Sequence, residues 1–526
     1  MKLTATMLDR AAGAVVGGAA GDALGAGYEF TTPSPATEIA MVGGGIGGFE
    51  PGEWTDDTAQ GAAILRVVAD GALDLEAIGA GFLEWFDGGP KDVGVSTSAV
   101  LRASGGDPAR LRDAADRYFD THPRGAAGNG SLMRTAPVAL AFLGDDEAMA
   151  AAAREVSHLT HGDPVAAEAC VLWCIAIDRG VREGRLDGAW DGLDLLEAAA
   201  RDRWADRLRE AQGMPLSTFA RNGYVVTALQ AAHAAITQTP VPDEQPCRHL
   251  QHALEAAVRI GHDTDTVAAI AGQVLGARWG VSAVPARWRR MLHGWPGWDT
   301  GDLVCASVLA VRGGSDDVIG WPSIPSLQGW ARQQEPDSVC VAVPPGAARL
   351  TAGNLPGLEL AIAAGVDAVV SLCRAGVDDV PSDVEHVEVW LSDRDGTEDN
   401  PNLAYVLADT ADVLSDLLAE GKSVYVHCVG GRSRTPTVVA MHVARTTDLQ
   451  PPCSMSSAKS YLPVTTIMRS GAPSVVSADR GRDAPDWRPG CARQRSEPLT
   501  RAIDFAATFE YPEVACALNQ EVMSMT

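Results

Sequence analysis

Large rings are scarce in this chain: aromatic side chains make up 6% of its 526 residues, while glycine alone occurs 55 times. Such a composition predicts close-packed helices with small residues at their contacts. The ten cysteines include no C-x-x-C pair. That excludes a disulfide framework and a clustered zinc site, and it reads as reduced thiols in a cytoplasmic protein. No apolar run reaches the about 18 residues that a membrane helix needs. The opening MKLTATMLDRAAGAVVGGAAGDALG has the look of a secretion signal, but Asp9 and Arg10 interrupt it and Asp22 closes it, so no membrane partner is expected. Positive charge is also short. Lys and Arg number 42 against 68 Asp and Glu, a formal charge of −26. The long-range field therefore repels nucleic acid and anionic lipid, leaving only a local basic pocket able to take a phosphate. What remains, 46% apolar and 21% charged, is ordinary globular composition and excludes wholesale disorder. The length predicts two or three domains.

Apolar residues recur at spacings of three and four in 59–69, 165–177, 225–236 and 267–277, with Pro and Gly between such segments. Residues 1–312 are expected to form one large all-α domain. A poorly patterned linker, 313–334, follows. Strands are then predicted at 338–343, 367–372, 386–391 and 423–427, with helices at 358–364, 404–419 and 436–444. This alternation argues an α/β domain with a parallel-rich sheet over 335–446. Residues 447–526 lose the pattern, except for a helical period at 499–509, and form a tail of uncertain structure.

Two Asp/Thr clusters stand immediately before helical segments. Thr55-Asp56-Asp57-Thr58 precedes AQGAAILRVVA, and Asp263-Thr264-Asp265-Thr266 precedes VAAIAGQVLGA. One such cluster would be plain N-capping. Two near-copies, each with one acid more than a cap requires, suit a hard cation held by oxygen: magnesium, calcium or manganese rather than zinc.

These clusters, with AAGAVVGGAAGDALGAGYEF, WTDDTAQ, DVGVSTSAVLRA, AAGNGSLMRTAPVAL, SHLTHGDPVAAEAC and GHDTDTVAAIAGQVLGA in that order, resemble the ADP-ribosylglycohydrolases over about residues 8–312. The resemblance implies a helical domain with two Mg2+ ions in a central cleft. Thr55, Asp56, Asp57, Asp263, Asp265 and Thr266 match the ligands. Asn129, Gly130, Ser131 and Met133 match a loop touching ADP-ribose, and His161 a residue lining that pocket. Glu29 or Asp57 is the expected general base, with Glu29 ahead because it stands apart from the clusters. One departure is that His262 occupies a position where many relatives carry Gly, so a different pocket wall is expected.

A second motif is SVYVHCVGGRSRT, residues 423–435. A strand feeds a Gly-rich loop and then a helix. Cys428 and Arg434 enclose five residues, including Gly430, Gly431 and Ser433. Inward-pointing amides would cradle a phosphate and favour a Cys428 thiolate, Arg434 would grip two oxygens, and Thr435 could donate to the sulfur. This resembles the dual-specificity, cysteine-dependent phosphatases over about 335–445. A general acid is expected on LSDRDGTEDNPNL: Asp393 first, with Asp395 and Asp399 as rivals.

Together these readings predict a bifunctional hydrolase. Its substrates would be an ADP-ribosylated protein or small molecule, ADP-ribosyl-arginine by default, and a phosphorylated substrate. Both modifications could sit on one target. The alternative is an ADP-ribose-binding reader with an inactive phosphatase-like domain.

Overall fold

Glycine stands at every fourth position of the opening helix, α1 (Ala5–Gly25): Gly13, Gly17, Gly21 and Gly25 form one bare stripe. A second helix, Thr264–Trp279, lies against that stripe with its own Gly272 and Gly276. The two backbones nearly touch. A Cβ added at Gly21 would stand 2.1 Å from the Ala268 carbonyl oxygen, and one at Gly276 only 1.8 Å from that of Gly13. The approach is antiparallel, so Gly25 at the end of α1 meets Asp265 at the start of its partner. Residues 264–277 are all buried, which is why the segment carries no polar face. Gly276→Ala is expected to destabilise the chain by about 3 kcal/mol or more, because backbone rather than a movable side chain blocks the methyl group. A lowered melting temperature would register this; an unchanged one would mean the seam opens freely.

The computed structural model describes residues 2–123, 125–331, 334–341, 349–393 and 398–446. Helices surround the central pair: α2 (Asp56–Val68), α3 (Pro164–Glu183), Val225–Gln238 and His249–Ile260 among them, then α4 (Thr264–Trp279) and α5 (Thr300–Val311). The only strands here, among the described residues, are the two-residue pair His293–Gly294 and Trp298–Asp299. Cys170 and Cys174 are buried in the core on α3. No described helix is long and apolar enough to cross a membrane.

The C-terminal region is a small, mainly parallel sheet. Its strands are β1 (Ser338–Val341), β2 (Leu350–Asn354), β3 (Ala368–Ser371), β4 (Glu385–Glu388) and β5 (Val424–Cys428), in the spatial order β1-β2-β5-β3-β4. Helices α6 (Leu358–Ala363), α7 (Leu403–Ala419) and α8 (Arg434–Thr446) fall where the periodicity predicts. Two features differ from expectation. β1 pairs antiparallel with β2, and β2 itself has no alternating pattern. Its Gly353 is required because the Tyr425 hydroxyl would stand 2.1 Å from a Cβ there.

One face of the sheet, Ala368, Val370, Val424 and Val426, joins the apolar core that includes α7 and α8. The opposite face, Val369 and Tyr425, packs with Leu355, Leu358, Trp321, Leu327, Leu8 of α1 and Val308 of α5. The segment expected to be a bare linker thus buries Trp321 and Leu327. The helical period expected at 499–509 lies outside the described residues.

Candidate functional site

The α1–α4 seam delivers Asp265 beside the N-terminus of α2, and there the two Asp/Thr clusters meet. Oxygen atoms of Asp22, Asp57 and Asp265 all lie within 4.8 Å of one another, as do those of Glu29, Asp263 and Asp265. Asp265 belongs to both groups. The capping explanation holds only in part. Thr55 caps α2 by accepting from the Asp57 amide at 3.4 Å, and its hydroxyl donates to Asp57 Oδ2 at 3.1 Å. Asp263, by contrast, makes no capping bond to α4; its Oδ2 accepts from Asn129 Nδ2 at 2.8 Å. Thr266 donates to Asp57 Oδ2 at 3.4 Å, linking the clusters.

The electrostatics of the cluster call for a cation. Asp57 Oδ1 and Asp265 Oδ1 are buried without any hydrogen-bond partner. Burial, then the neighbouring carboxylates, pushes Asp56, Asp57 and Asp265 well above the ordinary carboxylate range. Asp263 is raised by burial. Half-buried Glu29 is pushed up to about 8 by burial and by Asp92, Asp263 and Asp22. So many carboxylates in one pocket are stable only when protonated or matched by divalent charge. An all-oxygen donor set without His or Cys fits magnesium-like ions.

Several contributors carry no sequence signal. Asp22 takes the amides of Thr55 and Thr58 and the Thr58 hydroxyl, at 2.6–3.1 Å, so it pins the start of α2 and has little acceptor capacity left. Asp92 faces the cluster electrostatically. Asn222 accepts from the Asp263 amide at 3.1 Å and its carbonyl accepts from Asn129 at 3.0 Å. Each is one polar residue with no second acid beside it in sequence to mark it, and only the fold brings it here.

The loop at 129–133 is a turn against this pocket, with Ser131 and Met133 buried. His161 lies behind it: Cβ atoms added at Gly128 or Gly130 would meet its ring at 3.5 and 3.2 Å. A buried chain of hydrogen bonds fixes this ring. Gln60 donates to Asp56 at 3.0 Å, Arg134 donates to Gln60 and, at 2.6 Å, to Thr160 Oγ1, and Thr160 Oγ1 lies 2.8 Å from His161 Nδ1. Arg134 occupies one lone pair of the Thr160 hydroxyl, and when that hydroxyl gives its hydrogen to Nδ1 the ring is the Nε2–H tautomer. Nε2 is buried with no partner. Burial holds this imidazole neutral, its pKa lowered to about 3.

The His262 departure has a backbone explanation. Its φ is +64°, the left-handed region that favours Gly, and its side chain is exposed. The turn is kept, with Phe30 N donating to the His262 carbonyl at 2.6 Å.

The phosphate-loop motif sits at the end of β5, on the sheet. Cys428 is buried, and Gly431 turns the loop with φ +65°. Arg434 Nη1 donates to the carbonyls of Leu372 (2.7 Å) and Leu391 (3.0 Å), Nη2 lies 3.2 Å from Asp393, and Nε is buried without a partner. Thr435 donates to the Gly353 carbonyl at 3.3 Å rather than to the sulfur. Gly430 and Ser433 lie in the same loop, partly exposed. Asp395 lies outside the described residues; Asp399 is three residues before Asn402, the residue preceding α7.

Comparison with known proteins covers the helical part of the chain. The family model described as ADP-ribosylglycohydrolase matches residues 3–316. "ADP-ribosylarginine hydrolase Tri1" of Serratia proteamaculans is 27% identical over 298 residues, 53% of this chain and 74% of that protein. "ADP-ribosyl-[dinitrogen reductase] glycohydrolase" of Rhodospirillum rubrum is 31% identical over 297 residues, 53% of this chain and 89% of that protein. "ADP-ribosylhydrolase ARH3" of Bos taurus is 24% identical over 336 residues, 55% of this chain and 90% of that protein. With the family model spanning more than half its length and ending before the sheet begins, this chain belongs to the ADP-ribosylglycohydrolase family.

Proposed function

We propose that the helical part releases ADP-ribose from ADP-ribosyl-arginine in a reaction that needs two Mg2+ ions. The observation that carries this reading is the pair of carboxylate groups sharing Asp265, with unpartnered buried oxygens on Asp57 and Asp265. Thr55, Asp56, Asp57, Asp263, Asp265 and Thr266 would hold the ions, which supply Lewis acidity and charge neutralisation at the ribose hydroxyls. Glu29 is the better-placed base. It is half-buried where Asp57 is fully buried, so a water can reach it, and divalent charge in the cluster would keep its carboxylate ionised and able to take a proton from that water. The water oxygen bonds to the anomeric carbon as the bond to the guanidine nitrogen breaks. His161 Nε2–H and the 129–133 loop would receive acceptor oxygens of the ADP-ribose.

The arginine linkage takes its support from the Serratia relative, named as an ADP-ribosylarginine hydrolase. Its test is release from ADP-ribosyl-arginine against ADP-ribosyl-serine peptides; preference for serine would overturn it. Arg134→Met should weaken ADP-ribose binding about tenfold by freeing the Thr160–His161 pair, the size of effect seen when supporting partners of a site are removed. Calorimetric titration with ADP-ribose checks this; unchanged affinity would remove His161 from the pocket.

We also propose a second activity for the sheet: cleavage of a phosphate monoester by Cys428. The unpartnered, buried Nε of Arg434, which follows the loop that carries Cys428, supports it: with Nη1 held by two carbonyls and Nη2 beside Asp393, Nε is the donor left for a phosphate oxygen. The thiolate would bond to phosphorus, the ester oxygen would leave with a proton from Asp393, and water would then hydrolyse the cysteinyl phosphate. On this reading the chain is divided as 1–312, a linker at 313–334, and a phosphatase-like domain at 335–446.

A further inference from the structure

The carboxyl of Asp393 must sit within ångströms of the departing oxygen, yet it lies beyond the last paired residue of an edge strand. β4 ends at Glu388, and the last ladder bond on this stretch is from Val389 N to the Ser371 carbonyl, 2.9 Å. The cradle itself holds the carboxyl at one point, Arg434 Nη2 lying 3.2 Å from Asp393, and what holds the backbone that carries it is a separate question.

The hydrogen bonds around it run to the other half of the chain. Buried Asn400 holds Ser392, the residue before Asp393, its Oδ1 accepting from Ser392 N at 2.8 Å and its Nδ2 donating to Ser392 O at 3.1 Å. Two residues on, buried Asn402 leaves the sheet region altogether. Its Nδ2 donates to the Trp279 carbonyl at 2.6 Å, at the end of α4, and to Ser282 Oγ at 2.9 Å. Ser282 is itself locked, its amide and hydroxyl donating to Asp9 of α1 at 2.9 and 2.7 Å. The incoming limb is held from the same place. Arg289 Nη1 donates to the Glu388 carbonyl at 2.6 Å while its Nε donates to Val284 O at 3.1 Å. Arg290, nearly buried, bonds Glu385 at the start of β4 (2.6 Å) and Glu420 after α7 (2.9 Å). Thr6 on α1 donates to the Glu398 carbonyl.

We propose that the helical half of the chain positions the general acid of the phosphate site: Trp279–Arg290 is the mount, and Asn402 is the positioning residue that fastens to it the Asn400–Ser392 pair beside Asp393. This rests on the phosphatase reading of Cys428. Some of the bonds do hold α7, Arg290 on Glu420 and Ala286 N on Asp409 at 2.8 Å, but those of Arg289 to Glu388 and of Asn402 to Trp279 flank Asp393 on both sides in the chain. The consequence is that the cradle, formed by β5 and α8, binds phosphate by itself, while protonation of the leaving group depends on the other half.

The experiment uses the full chain and two substrates. One is a phosphotyrosine peptide, whose leaving oxygen needs a proton; the other is an aryl phosphate bearing electron-withdrawing groups, whose phenolate leaves without one. Asn402→Ala should lower kcat on the peptide about 10- to 100-fold, since a misplaced acid forfeits most of a 10²–10⁴-fold contribution. The activated substrate should lose less than about threefold, and vanadate affinity and ADP-ribose release should stay at wild-type values. Arg289→Met, which frees the Glu388 carbonyl, should give the same selective loss and serves if Asn402→Ala fails to accumulate. Equal losses on both substrates, or none on either, would overturn the mount. No turnover by the wild-type chain, or full turnover by Cys428→Ser, would overturn the phosphatase reading itself and the mount with it.

Discussion

Asp265→Asn is expected to cut ADP-ribose release by about 10³-fold or more and to remove the thermal stabilisation that Mg2+ gives the wild-type chain. Asp265 is the carboxylate common to both oxygen groups, so its loss opens both at once. The same variant should behave unusually without metal. Burial and mutual repulsion raise the proton affinity of the cluster: Asp22 to about 6, Glu29 to about 8, and Asp56, Asp57 and Asp265 well above their usual range. In the unfolded chain these groups titrate near 4. The folded state therefore holds more protons than the unfolded one above about pH 4, and the stability present below that pH is lost as pH rises through the folded values. Metal-stripped wild-type protein should melt several degrees lower at about pH 8 than at about pH 5. Mg2+ should erase that difference. Asp265→Asn should flatten it and melt above the stripped wild type at the higher pH. Melting curves independent of pH and of Mg2+ would mean the cluster carries little charge and no ion.

Cys428→Ser is expected to lower phosphomonoester turnover by about 10⁴-fold or more, because serine at this position has no base to ionise it. ADP-ribose release should be unchanged, since Cys428 lies on the sheet and the acidic cluster at the far end of the α1–α4 pair from the Trp279 mount. A parallel assay of both reactions on one preparation decides it. Loss of both together would point to a folding defect or to one shared site.

What the sequence made legible follows the physics of each element. The Asp/Thr clusters announce themselves because two acids at a helix start exceed what capping needs, and the Cys428–Arg434 spacing because one loop must place both groups around one phosphate. Asp22, Asp92 and Asn222 were invisible for the opposite reason: each is one polar residue whose neighbours in space are far away in sequence. The glycine stripe of α1 reads from sequence as small-residue packing; that it aligns Asp265 with α2 does not. The strand Leu350–Asn354 is not legible because its sequence has no alternation and Gly353 yields to Tyr425. Nor could periodicity reveal what covers the second face of the sheet. Closing helices would be sought after residue 446, whereas Trp321, Leu8 and Val308 supply the cover from upstream. That same arrangement ties Asn402 to Trp279, so the two halves share core and hydrogen bonds across a boundary that composition alone marks as a linker.

The central claim, that the cluster around Asp265 holds divalent cations for glycoside cleavage, is tested most directly by one titration. Metal-stripped full-length chain is assayed for ADP-ribose release from ADP-ribosyl-arginine peptide as Mg2+ is added, beside Asp263→Ala. Release that rises from near zero with Mg2+ in the wild type, and stays near zero in the variant, is the predicted result. Release that is undiminished in the stripped wild type, or retained by Asp263→Ala, would contradict it.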